Sequence, residues 1–286
     1  MTSPLNQRIR RFYDASSGLW EQVWGEHMHH GYYEPGQTGK DRRQAQIDLI
    51  DRVIQWGQIG DPCRHILDLG CGIGGSSLEL ARRFGAEVTG ITLSPVQAQR
   101  ATQRAQEAGL SEQVRFLVAD ALEMPFADNT FDLVWALESG EHMPDKRRFL
   151  AECWRVLQPG GQLLVVTWCH REGSLSPQDQ RLLQQIYDVY CLPYVISLSG
   201  YEALAHQVGF EQVRTADWSE RVAPFWDEVI ASARDWRWIP ALLRSGWVTV
   251  RGALGLGLMR RAYATGLLRF GLLSGFKPGS RPSSPL

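Results

Sequence analysis

The 286-residue chain predicts an α/β fold, a doubly wound sheet of mostly parallel strands with an N-terminal helical lid and a C-terminal helical cap. Three observations predict it. Short apolar segments alternate with helical patterns from His65 to Trp168, the rhythm of a parallel sheet. A glycine-rich turn, Gly70 to Gly75, joins the first of those segments to a helix. The flanking stretches, 1–45 and 173–277, lose the alternation and carry long amphipathic, aromatic-rich patterns instead.

Taken in order, His65–Leu69 reads as a strand and Gly75–Phe84 as the helix after the glycine turn. Glu87–Thr92 is a second strand. Ser94 then caps a helix over Pro95–Ala108, with Pro95 at the favoured first position and Gly109 as the stop. Val114–Val118 and Phe131–Ala136 are the third and fourth strands, and Asp145–Leu157 a helix. Pro159-Gly160-Gly161 turns the chain into a fifth strand, Gln162–Trp168. Beyond Cys169, Pro177–Tyr190 and Leu198–Val208 read as helices and Glu211–Asp217 as a strand. Ala223–Arg237 and Trp247–Gly266 read as long amphipathic helices, and Leu267–Phe276 as a last strand. The division expected is a lid over 1–45, a ligand-binding core over 46–172, cap helices and last strands over 173–277, and a disordered Pro/Ser/Gly tail over 278–286.

Charge is asymmetric although the formal net charge is only −1. From Val229 onward nine basic residues face one acid, Asp235, net +8, which leaves −9 for the preceding 228 residues. A basic stretch so rich in apolar residues, Arg234–Arg261 above all, points to an anionic surface as partner, with an ordinary helical cap bearing solvated arginines as the plainer reading. Cys63, Cys71, Cys153, Cys169 and Cys191 show no C-x-x-C spacing and no paired histidines, so neither a disulfide scaffold nor a zinc site is expected and a reducing compartment fits. Met1–Arg11 has no apolar core of a secretory signal, and no apolar run approaches the ~20 residues of a membrane helix. A cytoplasmic protein, or one peripheral on an internal membrane, is expected.

The glycines let the backbone approach a ligand closely, and the helix behind them presents free N–H groups. Gly70, Gly72 and Gly75 also satisfy G-x-G-x-x-G, which admits a nicotinamide dinucleotide. Against it, the end of the second strand, Gly90-Ile91-Thr92-Leu93, lacks the acid that would hold the ribose. Asp68-Leu69-Gly70-Cys71-Gly72-Ile73-Gly74, Ala119-Asp120-Ala121 and Leu157-Gln158-Pro159-Gly160-Gly161 together resemble the ordered motifs of the class I S-adenosylmethionine-dependent methyltransferases, a Rossmann-like fold. The resemblance implies S-adenosyl-L-methionine as cofactor, no metal, and a loop of Asp68, Gly70, Cys71 and Gly72 beneath its methionine part. It implies an adenine site at Asp120 and Ala121, with Thr92, Leu93 and Leu137 alongside. Asp120 as a helix cap and Asp68 as a turn-stabilising acid remain alternatives.

Thr92 stands where many members of that family carry Asp. Ile91-Thr92-Leu93-Ser94-Pro95-Val96-Gln97 is similar to the corresponding segment of the cyclopropane-synthase and sterol-methylating branches, which implies Gln97 as the ribose ligand; an exposed first-turn Gln is the alternative. Phe12-Tyr13-Asp14 and His27-Met28-His29-His30-Gly31-Tyr32 resemble the lid segments of those branches. By that resemblance Tyr13 reaches the methionine carboxylate and His30 and Gly31 line the pocket, against solvated or core histidines. A lid suits in-line methyl displacement, where catalysis is mostly alignment and exclusion of water.

Gly18–Gly31, Trp135–Lys146, Ala216–Glu220 and Val222–Trp226 resemble the γ-tocopherol methyltransferases, and the likeness runs from Phe12 to Pro278. It implies methylation of the chromanol ring carbon of γ- and δ-tocopherol, to α- and β-tocopherol, despite the "O-methyl" label of some members. The partners implied are a prenylated chromanol and a photosynthetic membrane touched peripherally. A phenol ionises near ~10, so a base sharing its proton strengthens the carbon nucleophile. Glu138 and His142, four apart after the fourth strand, are the expected catalytic pair, His142 as base and Glu138 as its orienter or a phenol partner, with capping or surface charge as the alternative. Glu141 is expected to be solvated and Asp14 is a weaker base candidate. The aromatic residues of Tyr187–Tyr201 and Ala223–Leu258 offer a channel for the tail, although Trp226, Trp236, Trp238 and Trp247 singly read as core. A relative with another acceptor (an alkaloid amine, a sterol or a quinol) and a non-catalytic cofactor-binding module are the rivals. No nucleic acid is expected, because the Asn/Asp-Pro-Pro-aromatic motif is missing and the basic stretch is broken by apolar residues. The sequence leaves the oligomeric state open.

Overall fold

The computed structural model describes residues 4–37, 39–233 and 247–279. The sheet strands are β1 (His65–Leu69), β2 (Glu87–Thr92), β3 (Val114–Val118), β4 (Phe131–Leu137), β5 (Leu157–His170), β6 (Glu211–Asp217) and β7 (Leu268–Phe276). Among the described residues they form one sheet in the order β3-β2-β1-β4-β5-β7-β6. The first five strands are mutually parallel, and β7 runs antiparallel to both β5 and β6. The order reverses at β1, which has β2 on one side and β4 on the other, and a crevice opens there at the strands' C-terminal ends.

Alternation places each strand's residues on two buried faces, as a doubly covered sheet requires. Ile66, Leu133, Trp135, Leu164 and Val166 pack on one side with Leu49, Ile50 and Val53 of α2 (Arg42–Gly57). Leu67, Leu69, Val134, Ala136, Leu163 and Val165 pack on the other with Phe149, Leu150 and Cys153 of α5 (Lys146–Val156). Between lie α3 (Gly75–Phe84) and α4 (Pro95–Glu107), and Ser94 caps α4 by accepting from the Gln97 N–H. The cap comprises α6 (Pro177–Tyr190), α7 (Leu198–Val208), α8 (Ser219–Val222), α9 (Pro224–Ala233) and α10 (Trp247–Ala264).

Two expectations change. The fifth strand begins at Leu157 rather than Gln162, so Pro159-Gly160-Gly161 interrupts the strand instead of preceding it. Gly160 takes a left-handed φ of 83°, its N–H bonds to the Lys277 carbonyl, and the Lys277 ammonium holds the Trp154 and Leu157 carbonyls. The lid boundary at residue 45 falls inside α2, whose Ala45 is fully buried against the sheet layer. β6 and β7, the last strands within 173–277, complete the main sheet. The first helix, α1 (Pro4–Trp24), lies across the crevice. Trp236, Trp238 and part of the Arg234–Arg261 stretch lie outside the described residues, as does most of the tail; Trp247 begins α10. No helix among the described residues is long and apolar enough to cross a membrane.

Candidate active site

A cavity of about 1020 Å³ fills the crevice. Asp68, Gly70, Cys71, Gly72, Thr92, Leu93, Gln97, Asp120, Ala121 and Leu137 all line it, and Tyr13 closes it from α1. The glycine loop is pinned to β2, since the Gly70 and Cys71 N–H groups both donate to the Ile91 carbonyl at 2.9 and 3.0 Å. Gly70 (φ 81°) has no room for a side chain, as a Cβ would lie 2.3 Å from Ser139 Cβ. Gly72 is different: a Cβ there would meet nothing closer than Met28 Sδ at 3.9 Å, so its backbone is open toward the cavity. Asp68 is buried and accepts from Ser77 Oγ at 2.6 Å, and burial pushes its carboxyl up to about 7.

Gln97 is buried, which removes the exposed first-turn reading. Its Oε1 accepts from Thr92 Oγ1 at 2.8 Å and its Nε2 donates to Ser17 Oγ of α1 at 3.1 Å. Asp120 receives the Leu122 N–H at 2.9 Å and Asn6 Nδ2 of α1 at 2.7 Å. Asp14 accepts from Ser94 Oγ at 2.5 Å and lines neither cavity, so α1's turn has spent it on closing the lid, and it is no base for a bound ligand. Glu21 of α1 clasps Arg100 of α4 farther along. One polar face of α1 thus fastens to the ends of β2, β3 and α4.

A second cavity, about 600 Å³, adjoins the first. The two share Tyr13, Met28, His29, Glu138 and His142. The second is walled by Phe12, Trp168, Tyr190, Phe225 and Trp226, so Trp226, read as core from the sequence, is a cavity wall. His30 lines this second cavity and not the first. Gly31 lines neither: a Cβ would sit 2.5 Å from Ala45 Cβ, so this glycine lets the lid segment lie directly on α2.

The structure separates the expected catalytic pair. Glu138 ends β4 at a left-handed φ of 53°, and the chain then makes a 3₁₀ turn, Gly140–His142. A four-residue spacing brings side chains together only on a helix. Here Glu138 accepts instead from His30 N–H and His30 Nδ1, both at 2.7 Å, and from Trp168 Nε1 at 3.0 Å. Burial would raise the Glu138 carboxyl, but the charge and hydrogen bonds of His30 hold it below the usual carboxylate range. His142 Nε2 pairs with the Tyr13 hydroxyl at 2.8 Å. Burial, reinforced by the Lys146 charge, lowers His142 to about 3. Tyr13 is raised, by burial first and then by the Glu141 charge, and stays a neutral phenol.

Glu141 is buried rather than solvated: it lines the second cavity, where Thr167 Oγ1 donates to it at 2.9 Å. Burial and then the Glu138 charge push it up to about 8. Lys146, also buried, donates to the Gly140 and Glu141 carbonyls at 2.9 and 3.0 Å, and burial lowers it to about 7. The histidine run lies in the interior. His27 and His29 are buried and lowered, by burial first, and His29 Nδ1 donates to the His30 carbonyl at 2.8 Å. Among the described residues no group of three or more His, Cys, Asp and Glu side chains could hold a metal ion.

Sequence reasoning missed Met28, His29 and Trp168 as cavity residues. Met28 and His29 lay within a segment already singled out, whereas Trp168 of β5 joins the wall only through tertiary packing; Phe12 fell in the lid segment and Tyr190 in the Tyr187–Tyr201 stretch expected to offer a tail channel.

Residues 67–165 match the methyltransferase domain family. A probable chloroplastic tocopherol O-methyltransferase of rice (Oryza sativa subsp. japonica) is 50% identical over 96% of this chain and 79% of its own length. The chloroplastic tocopherol O-methyltransferase of Arabidopsis thaliana is 44% identical over 97% and 84%. Among solved structures, the [4+2]-cyclase SpnF superposes with a TM-score of 0.84 at 28% identity, covering 98% of each chain.

Proposed function

The chain belongs to the tocopherol O-methyltransferase family of class I S-adenosylmethionine-dependent methyltransferases, and we propose that it methylates the chromanol ring carbon of γ- and δ-tocopherol. The first cavity fits S-adenosylmethionine: Gly72 leaves backbone open to the ligand, and Gln97 and Asp120 present polar atoms for a ribose and an adenine. When bound, the cofactor supplies an electrophilic methyl on a sulfonium. Asp68 and the loop N–H groups shape its seat, and α1 excludes water above it.

One observation carries the acceptor assignment. The second cavity meets the first at Tyr13, Met28, His29, Glu138 and His142, and becomes aromatic away from that junction. Such a shape takes a polar ring at the junction and an apolar tail beyond it. Buried polar atoms without a hydrogen-bond partner among the described residues cluster here: His29 Nε2, His30 Nε2, His142 Nδ1, Tyr190 Oη and Trp226 Nε1. A ring bearing a hydroxyl and an ether oxygen offers partners to some of them. The prenyl tail runs toward α6 and α9, and the basic, apolar-rich composition of Arg234–Arg261 suits contact with an anionic membrane holding the substrate; cosedimentation with anionic vesicles tests that contact.

The deciding assay supplies labelled S-adenosylmethionine with γ-tocopherol in detergent micelles, and an indole amine and a sterol as parallel acceptors. Label in α-tocopherol is expected. Label confined to another acceptor refutes the substrate class and leaves the cofactor site intact.

A further inference from the structure

Three imidazoles look into the second cavity, and only one has a carboxylate bonded behind it, for His29 gives its Nδ1 proton to the His30 carbonyl. His142 has its Nε2 paired with Tyr13, no carboxylate in contact, and the Lys146 charge nearby. His30 is clasped from behind: Glu138 takes its backbone N–H on one oxygen and its Nδ1 on the other, each at 2.7 Å. Trp168 Nε1 fixes the second of those oxygens at 3.0 Å. An ionised carboxylate can only accept, so Nδ1 carries a proton, and in the neutral ring it is Nε2 that presents a lone pair. That Nε2 is buried without a partner among the described residues, and His30 is a cavity wall.

Around the ring stand Phe225, Trp226, Phe270, Tyr263 and Trp168, with centroids 5.0 to 5.9 Å from that of the imidazole. Aromatic rings at that range favour a cation within their enclosure. The titratable groups facing His30 or sharing its cavity are Glu138 just after β4, Glu141 and His142 in the following turn, His29 on its own segment, Tyr13 of α1, Tyr190 of α6 and Tyr263 of α10. The three tyrosines are raised by burial and stay neutral, so the carboxylate of Glu138 is the charge in direct contact.

We propose that His30, oriented by Glu138, is the base that takes the hydroxyl proton of the acceptor, in place of the His142 expected from the sequence. The inference rests on the reading of the second cavity as the chromanol site. The acceptor O–H bond breaks and its proton moves to Nε2, leaving a phenolate beside an imidazolium–carboxylate pair. The ring carbon ortho to that oxygen then forms the new C–C bond, while the S–C bond of the sulfonium breaks with its electron pair on sulfur. His30 gives its proton back to the oxygen, and as aromaticity returns the freed Nε2 takes the C–H proton of that carbon and releases it to solvent when the product leaves. One proton is released per methyl transferred. His142 serves as a positioning residue for Tyr13 at the junction.

The test compares wild type, His30→Gln, Glu138→Gln and His142→Gln with γ-tocopherol, reading kcat from pH 7 to 9 and S-adenosylhomocysteine affinity by calorimetry. His30→Gln is expected to lose about 10²- to 10³-fold in kcat, the range of a positioned general base, with cofactor affinity within threefold as the check on folding. Its rate climbs about tenfold per pH unit as the phenol ionises without help, while the wild type changes little. A fluorinated chromanol with a more acidic hydroxyl narrows the gap between the two. Glu138→Gln shows the same rescue from a smaller loss, and His142→Gln shows none. A merely structural role moves neither the pH slope nor the dependence on phenol acidity. His30→Gln within threefold of wild type, a loss without rescue, or rescue in His142→Gln instead overturns the inference while the tocopherol reading stands. A wild type that leaves γ-tocopherol unlabelled overturns both.

Discussion

Replacing Glu138 with alanine removes one carboxylate and strands three donors. His30 N–H, His30 Nδ1 and Trp168 Nε1 lose their acceptor in a buried place. Each stranded donor costs about 1–3 kcal/mol, and breaking a buried charge-assisted pair by removing one partner costs about 3–5 kcal/mol. The two estimates meet at about 3–5 kcal/mol. Alanine keeps the left-handed φ of 53° and so recovers no backbone strain. At ~2 °C per kcal/mol for a chain of this length, the midpoint of thermal unfolding falls by about 6–10 °C. The pH dependence has a definite sign. Because the folded carboxyl lies below its usual range, its stabilisation is present above the unfolded value of ~4.3 and fades as pH drops through the folded one. The gap between wild type and variant is therefore wide at pH 7.5 and narrower at pH 4. Circular dichroism melts of both proteins without cofactor measure it. A gap under ~2 °C at pH 7.5, or one that widens in acid, refutes the account of Glu138 as the anchor of the lid histidine.

Gly70→Ala forces a Cβ to within 2.3 Å of Ser139 Cβ at a left-handed φ, so S-adenosylhomocysteine binding weakens at least about tenfold by calorimetry, and adding Ser139→Gly restores only part of it. Gln97→Ala breaks the Thr92–Gln97–Ser17 chain between β2 and α1, and the same titration is expected to lose about tenfold, near the worth of one or two hydrogen bonds. Glu141→Gln cannot ionise in its buried place, whereas the wild-type group, pushed up to about 8, is disfavoured increasingly as pH rises from ~4.3 toward 8. The variant's melting midpoint should therefore gain on wild type across that span and level off above it; a gain that shrinks with pH contradicts the burial argument.

The sheet was legible because its signals are local. Short apolar runs between helical patterns gave β1 to β4 to the residue or nearly so, and the Ser94–Pro95 cap marked the start of α4. The glycine loop, Asp120 and Gln97, expected from the sequence to hold the cofactor, all line one cavity. Residues whose fate depends on tertiary direction were not. Glu138 and His142 share a spacing that pairs side chains on a helix, but a strand end followed by a 3₁₀ turn sends them to His30 and Tyr13. Glu141 looked solvated in a polar run, yet the same turn buries it at the second cavity against Thr167. The aromatic wall gathers from Phe12 to Trp226, and no window of sequence contains both.

What unites the site is how few of its titratable groups can carry charge. Around the two cavities Asp68 and Glu141 are pushed toward their neutral forms by burial, and Tyr13 stays a phenol. His27, His29 and His142 are held as neutral imidazoles. Glu138 departs from that trend, because three donors and the His30 ring compensate its burial. It also lines both cavities. A carboxylate there faces the place where a sulfonium brings positive charge on one side and the place where a phenol gives up a proton on the other. In a site closed to water such a charge is weakly screened and acts strongly at both. Carbon methylation needs a donor kept from hydrolysis and an acceptor made electron-rich at one position. The single compensated carboxylate at the junction, relayed to the acceptor through His30, meets the second need while the α1 lid meets the first.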